Sequence, residues 1–207
     1  MTTQQNDYLI PNNAITTFQS TKQNPFEDII KNVPSYVLME QCHGADITLL
    51  TDPNNIPKLV PSTDALITTI PELTIVVKTA DCLPILIYHP YPAVAAIHAG
   101  RKGTELGIFK KTLEVLQSQF GIADSLSIWF GPHITEKNYE INAETKEHYN
   151  LFIKNKTQLL QAVKRHAFQF FDSKKCTVDH NNEFFSYRKE KTTLRNYSGI
   201  QIKNLIK

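Results

Sequence analysis

Three residues have types and spacing suited to chemistry: His43, Cys82 and His98. Each closes a short apolar run, in Gln41-Cys42-His43-Gly44, Thr79-Ala80-Asp81-Cys82-Leu83-Pro84 and His98-Ala99-Gly100-Arg101-Lys102-Gly103. Two imidazoles and a thiolate suit a soft-to-borderline cation. Three protein ligands with a fourth position left for water describe a catalytic rather than a structural zinc. Zinc brings the pKa of such a water down to about 7. The same residues allow two other readings: a thiolate–imidazolium pair between Cys82 and either histidine, or plain core packing. The spacing alone leaves all three open.

The elements that must position these residues are mostly short strands. Apolar runs at residues 36–39, 64–68, 73–79, 84–88, 93–97 and 126–130 are strand-length and bounded by Pro, Gly, Asn or Asp. In a compact domain, strand ends can gather at one edge. Five of the seven glycines, Gly44, Gly100, Gly103, Gly107 and Gly131, sit beside histidines or strand ends, where a sharp turn or a close ligand needs them. Leu106, Phe109, Leu113, Leu116 and Phe120 recur at helical spacing, with Gly121 placed as a C-terminal cap. A second helix is expected from Leu159, Val163, Ala167 and Phe170, opened by a capping box at Asn155 and Gln158. A shorter helix is expected over residues 143–152. Residues 1–34 are polar and turn-rich, and a final strand pair is expected at 184–187 and 200–202. Strands with helices inserted among them predict one mixed α/β (α+β) domain, with residues 1–34 part of it and 35–207 forming its body.

Composition narrows the setting. Apolar residues at 41% and charged residues at 20% are ordinary for a globular protein and exclude a disordered or collagen-like chain. The most apolar stretch, residues 83–99, is broken by three prolines and two histidines, so no bilayer span and no membrane partner is expected. No basic-then-apolar leader opens the sequence, and three cysteines (Cys42, Cys82, Cys176) make an odd count. A reduced cytoplasmic protein with free thiols is the expectation. The net charge of +2 is uneven: residues 146–207 carry thirteen Lys or Arg against five Asp or Glu. Only four of the 22 cations are Arg and no nucleic-acid-binding motif accompanies them, so a solvated Lys-rich surface is expected, with no nucleic-acid partner. A basic pocket for a phosphate-bearing small molecule stays open.

Taken in order, Gln-x-His-Gly, Asp64-Ala65-Leu66-Ile67-Thr68, Thr-Ala-Asp-Cys-x-Pro, His-Ala-Gly-x-x-Gly, Gly131-Pro132-His133-Ile134, Cys176-Thr177 and Phe184-Phe185-Ser186-Tyr187-Arg188 form a longer pattern. It resembles the YfiH/YlmD family, the laccase-domain or "polyphenol oxidase" family of purine nucleoside phosphorylases related to human FAMIN, over roughly residues 36–202. The resemblance implies a four-layer α/β/β/α domain similar to the deamidase toxin CNF. It also implies a metal site of His43, Cys82 and His98, zinc or alternatively copper, with these residues catalytic. The implied activity is phosphorolysis of adenosine, inosine, guanosine or methylthioadenosine, and adenosine deamination.

The chain departs from the family pattern at several places. Arg101-Lys102 replaces the usual Trp-Arg, and Thr16-Thr17-Phe18-Gln19-Ser20 replaces an Arg-x-Gly-Gly-x-Ser loop. Asn138-Tyr139-Glu140 stands for Cys-Tyr-Glu, and Thr193-Leu194-Arg195 for Thr-Gly-Arg.

The leading expectation is therefore a monomeric zinc-dependent enzyme whose partners are a purine nucleoside and phosphate, with Lys102 and Arg188 binding substrate. His133 and Gln41 are weaker candidates, and Asp81 is expected to orient the site from behind. His89, His148, His166 and His180 are expected to be structural or exposed. Three alternatives remain: a His2Cys copper oxidase, a Cys-His hydrolase or deamidase, and a partner-binding domain without catalysis. A multicopper laccase needs more histidines than the seven present.

Overall fold

The computed structural model describes residues 9–121 and 125–204, apart from the side chain of His166. Among the described residues, thirteen strands run in chain order: β1 Ile15–Gln19, β2 Ser35–Met39, β3 Ile47–Leu50, β4 Leu59–Val60, β5 Ala65–Thr68, β6 Leu73–Thr79, β7 Leu83–His89, β8 Ala93–Ala99, β9 Leu126–Phe130, β10 Glu140–Asn142, β11 Glu147–His148, β12 Phe168–Asp172 and β13 Asn196–Ile202. The α-helices among the same residues are α1 Phe26–Ile29, α2 Arg101–Glu105, α3 Ile108–Phe120, α4 Leu151–Ala162 and α5 Tyr187–Glu190.

Two mixed sheets carry the molecule, ordered β1-β13-β6-β2-β4 and β12-β9-β7-β8-β5-β3. Side chains alternate across a strand with period two, and the central strands are apolar on both faces because both faces are covered. In the second sheet, Ile85, Ile87, Ala95, Ile97, Ile128 and Phe130 pack against α3 and α4. The alternate residues Leu86, Val94, Ala96 and Trp129 face Val37, Met39, Ile75, Val77 and Ile200 of the first sheet. The outer face of that first sheet carries Tyr36, Leu38, Val76 and Tyr197 and is covered by Phe26 of α1, which stacks on Tyr197 at 4.2 Å. The order helix, sheet, sheet, helix is a mixed α/β architecture in four layers, as the family resemblance implies.

Several local expectations are corrected. The helix at 106–120 begins at Ile108, because Gly107 adopts a left-handed φ of 78° and divides it from the short α2. The second helix starts four residues earlier than its expected cap: Asn150 is the N-cap, its side chain accepting from the Ile153 amide. Asn155 and Gln158 lie inside α4 and do tertiary work. Asn155 donates to Thr104 Oγ1 at 3.0 Å. Gln158 donates to Thr104 O at 2.8 Å and accepts from Lys110 N at 3.1 Å, tying α4 to the α2–α3 corner. Ala167 and Phe170, whose spacing suggested more helix, fall outside α4, and Phe170 lies in β12, parallel to β9. The expected helix at 143–152 is mainly the β10–β11 hairpin, whose pairing takes up Glu140–Asn142 and Glu147–His148. Residues 184–187 make no strand: Ser186 caps α5 by accepting from Lys189 N. The polar segment before residue 35 supplies β1, which pairs with β13 from Ile15↔Ile202 to Gln19↔Ser198.

Within that last pairing, Phe18 lies opposite Gly199, and a Cβ at Gly199 would overlap the Phe18 ring. Gly199→Ala should destabilise the protein by about 1–3 kcal/mol, the range for overpacking a filled core. Urea unfolding at neutral pH reads this directly, and an unchanged midpoint would show that the ring has room to move.

Candidate metal centre

The two sheets leave an open end, and the pleat points the residues into it. His98 follows Val94 and Ala96 in the two-residue alternation and so faces the first sheet. Cys82 lies one residue before β7, which pairs with β8 as Leu83↔Ala99, so Cys82 comes opposite Gly100. His43 arrives from the loop after β2, held in a left-handed backbone with φ 60°. The ligand atoms of His43, Cys82 and His98 all lie within 4.8 Å of one another. The two imidazole rings sit edge-on, 4.7 Å apart.

The loop that brings His43 is built by its neighbours. Gln41 zips its amide onto β6, donating to Lys78 O at 2.8 Å and accepting from Lys78 N at 2.9 Å. It therefore anchors the loop through the Lys78 backbone. Asp64, fully buried at the start of β5, accepts from the amides of Cys42 (3.2 Å), His43 (3.0 Å) and Gly44 (2.7 Å) and from the Cys42 thiol (3.1 Å). It also bonds His98 Nδ1 at 2.7 Å, while its carbonyl accepts the His98 amide. That contact commits Nδ1 and leaves Nε2 for the cluster. The orienting carboxylate is Asp64, which sequence reasoning passed over although it opens the quoted Asp64-Ala65-Leu66-Ile67-Thr68 match; an acid at the start of an apolar strand was the available signal.

Asp81 does something else. Its backbone is left-handed (φ 92°), and its carboxylate accepts from Thr177 Oγ1 at 2.7 Å and from Arg188 N at 2.6 Å. It fastens the Cys82 turn to the C-terminal segment that carries Arg188. Two glycines make the packing possible. A Cβ on Gly100 would stand 2.9 Å from Cys82 Sγ and 3.2 Å from His43, and one on Gly103 would stand 2.7 Å from Gly44 O.

Charge follows from these contacts. Burial pushes the Cys82 thiol up, but the neighbouring His98 and His43 outweigh it and bring it down to about 6. Burial pushes His98 down, and Cys82 and Asp64 reverse that, raising it to about 9. Burial raises the Asp64 carboxyl, and its donors, led by His98 and Cys42, hold it well below the usual carboxylate range.

The cluster opens into a cleft of about 850 Å³ lined by Lys78, Arg101, Lys102, Arg188, Lys191 and Arg195, with Asp81 its one carboxylate. Tyr139, Tyr187 and Tyr197 supply aromatic walls. Lys102 and Arg188 thus line the same space as the cluster. Arg188 lies over the Tyr139 ring at 5.6 Å and donates to Glu140 O. Lys102 belongs to a five-residue helix, so the dipole of a long helix does not assist it.

His133 lies outside the cleft. It is buried against Gly131 O and lines a separate pocket of about 320 Å³ with Phe152 and Asp172. His89 is buried between the carbonyls of Tyr91 and Gly121, His148 is exposed, and His180 bonds Cys176 O. The side chain of His166 lies outside the described set. Lys78, Lys191 and Arg195 were missed, because only the fold brings them to the cleft.

A profile of the family described as "Multi-copper polyphenol oxidoreductase laccase" matches residues 21–203. The chain belongs to this family, the YfiH/YlmD laccase-domain proteins. A Campylobacter jejuni relative named purine nucleoside phosphorylase is 31% identical, over 84% of this chain and 80% of its own. A Shigella flexneri relative, purine nucleoside phosphorylase YfiH, is 32% identical over 82% of this chain and 75% of its own. In fold, the chain is similar to crystalline YlmD of Geobacillus stearothermophilus, with TM-score 0.78, 22% identity and 93% coverage of both chains. No helix among the described residues is long and apolar enough to cross a membrane.

Removing the Asp64 charge should loosen this assembly. Asp64→Asn in metal-free protein should cost about 3 kcal/mol or more, as for a buried ion pair that loses one partner. Asp64 has a depressed pKa, so its contribution holds above about pH 4 and fades as pH falls. His98 has a raised one, so its contribution holds below 6.5 and fades as pH rises through about 9. The stability gap between wild type and variant, followed by denaturant titration across pH, should be widest from about pH 4 to 6.5. A gap independent of pH would show that the charge is not what matters.

Proposed function

We propose that this protein is a zinc-dependent purine nucleoside phosphorylase that converts adenosine, inosine or methylthioadenosine, with phosphate, to free base and ribose 1-phosphate. The observation that carries the proposal is the opening of the His43–Cys82–His98 cluster into a cleft with six cations and one carboxylate. The names of the curated relatives point the same way.

The donor set fits a zinc ion. Two imidazoles and a thiolate already pulled toward ionisation are borderline ligands, Gly100 leaves the space beside them, and Asp64 fixes the His98 tautomer. A bound zinc supplies Lewis acidity at this end of the cleft. The chain's own residues do the rest. Lys102 and Arg188 hold phosphate against C1′ of the ribose, as a point charge and a planar fork respectively. A phosphate oxygen forms the new bond to C1′ as the C1′–N9 bond breaks, and its electron pair leaves with the purine. The aromatic walls exclude water from the sugar. The free thiols Cys42, Cys82 and Cys176 support a reducing, cytoplasmic setting. We take the described residues as one catalytic domain, with the segment before residue 35 completing its first sheet.

Cys82→Ser should lower zinc content more than about tenfold, beyond the loss typical of outer-shell changes, with the circular dichroism spectrum retained. Zinc affinity should decline as pH drops below about 9, where the His98 imidazole takes up a proton, and more steeply below about 6, where the Cys82 thiolate does the same. Lys102→Ala should raise the KM for phosphate about tenfold, the value of one charge-assisted contact, at unchanged zinc content.

Chromatography of adenosine with and without phosphate tests the reaction. Adenine that appears only with phosphate is expected, and inosine formed without phosphate would assign deamination to the site. Phenol oxidation is expected only after copper loading. Robust phenol turnover by copper-free protein with adenosine untouched would set the proposal aside.

A further inference from the structure

The cations of the cleft fall into two sets. Arg101 and Lys102 stand just beyond His98 on α2, with Arg188 over Tyr139. Lys78, Lys191 and Arg195 come from β6 and from the segment entering β13. Lys78 pairs with Tyr197 across these strands, so Arg195, two residues before Tyr197, falls on the same face of the sheet. None of Lys78, Lys191 and Arg195 forms an ion pair among the described residues. Lys191 rests over the Tyr187 ring at 5.1 Å, and Arg195 donates to the carbonyls of Thr192 and Leu194. The cleft's one carboxylate is already engaged, each oxygen accepting a hydrogen bond. Thr79, beside Lys78 but on the other face of β6, also borders the cleft, and its buried hydroxyl has no hydrogen-bond partner among the described residues.

A neutral nucleoside and one phosphate leave half of this charge unanswered. Phosphate carries at most two negative charges at neutral pH, and Lys102 and Arg188 match it, Arg101 being paired with Glu105 at 3.7 Å. Three further like charges around a partly enclosed space repel one another and are stabilised by an anion between them. We propose that Lys78, Lys191 and Arg195 form a second anion subsite, and that the cleft takes purine nucleosides bearing their own phosphate on the ribose, the nucleoside monophosphates. This inference rests on the purine nucleoside reading for the base and sugar, but not for the second phosphate.

Calorimetric titration of the purified, zinc-loaded protein with adenosine, adenosine 5′-monophosphate and ribose 5-phosphate, at 50 and 500 mM salt, tests it. The monophosphate should bind about tenfold tighter than adenosine at low salt, with the advantage shrinking at high salt. In a Lys191→Ala/Arg195→Ala double variant the ratio of the two affinities should fall toward one, and in the charge-keeping Lys191→Arg/Arg195→Lys variant it should persist. Equal affinities for the two ligands in wild type, or a ratio that survives the alanine pair, would overturn the inference. The two readings separate cleanly. Adenosine split by phosphate without tighter binding of the monophosphate leaves the phosphorylase and removes the second subsite. Charge-dependent binding of the monophosphate and ribose 5-phosphate, with no nucleoside turned over, keeps the subsite and removes the phosphorylase.

Discussion

One fully buried carboxylate, that of Asp64, organises the candidate metal centre. Asp64 has no exposed surface and takes five donors: three successive amides of the Cys42–Gly44 loop, the Cys42 thiol and His98 Nδ1. A buried charge is tolerated only where its lone pairs are answered, and here they are answered from both sides of the gap between the sheets. The loop after β2 belongs to the first sheet and His98 to the second, so the contact that neutralises Asp64 is also the one that sets His43 edge-on beside His98. Satisfying the charge and assembling the cluster are one event.

The rest of the site follows from sheet geometry and the absence of side chains at two places. The pleat directs His98 into the inter-sheet gap and brings Cys82 opposite Gly100, where only a bare Cα leaves room for the thiol. Gly103 lets α2 sit directly on the Gly44 carbonyl, while α4 clamps the α2–α3 corner through the buried Asn155 and through Gln158. Helix packing behind the second sheet thus reaches the cluster through α2, and three of the seven non-glycine residues with a left-handed backbone among the described residues, His43, Asp81 and Lys191, line the cleft.

The altered His-Ala-Gly segment also finds a physical account. Where relatives were expected to carry Trp-Arg, Arg101 and Lys102 place two positive charges at the cleft; Arg101 is drawn toward Glu105, 3.7 Å away on the exposed side of α2. An aromatic surface is lost there, yet Tyr139, Tyr187 and Tyr197 line other walls of the same space. Two imidazoles and a thiolate gathered at one place are donors of a type suited to a borderline metal ion such as zinc or copper.

Much of this was legible before any fold was known. Apolar runs with period-two character located the central strands, because a strand covered on both faces has to be written in Val, Ile, Leu and Ala. His43, Cys82 and His98 were legible because they end such runs beside glycines. What local pattern could not supply was partnership. Asn155 and Gln158 look like a capping box from spacing alone, and only the packing of α4 against α2 turns them inward. Asp81, adjacent to Cys82 in sequence, looks like the orienting acid, yet Asp64, eighteen residues from Cys82, holds that place because strand pairing carries it there. Cations at 78, 191 and 195 are unremarkable along the chain and join Arg101, Lys102 and Arg188 in one cleft only when β6, α2 and the C-terminal segment converge. Sequence by itself determined the central strands, the donor types and the glycines, since these depend on local sterics and burial. The tertiary structure alone decided which acid neutralises which base and which charges share one space, because electrostatic partnership depends on distance through space and is blind to separation along the chain.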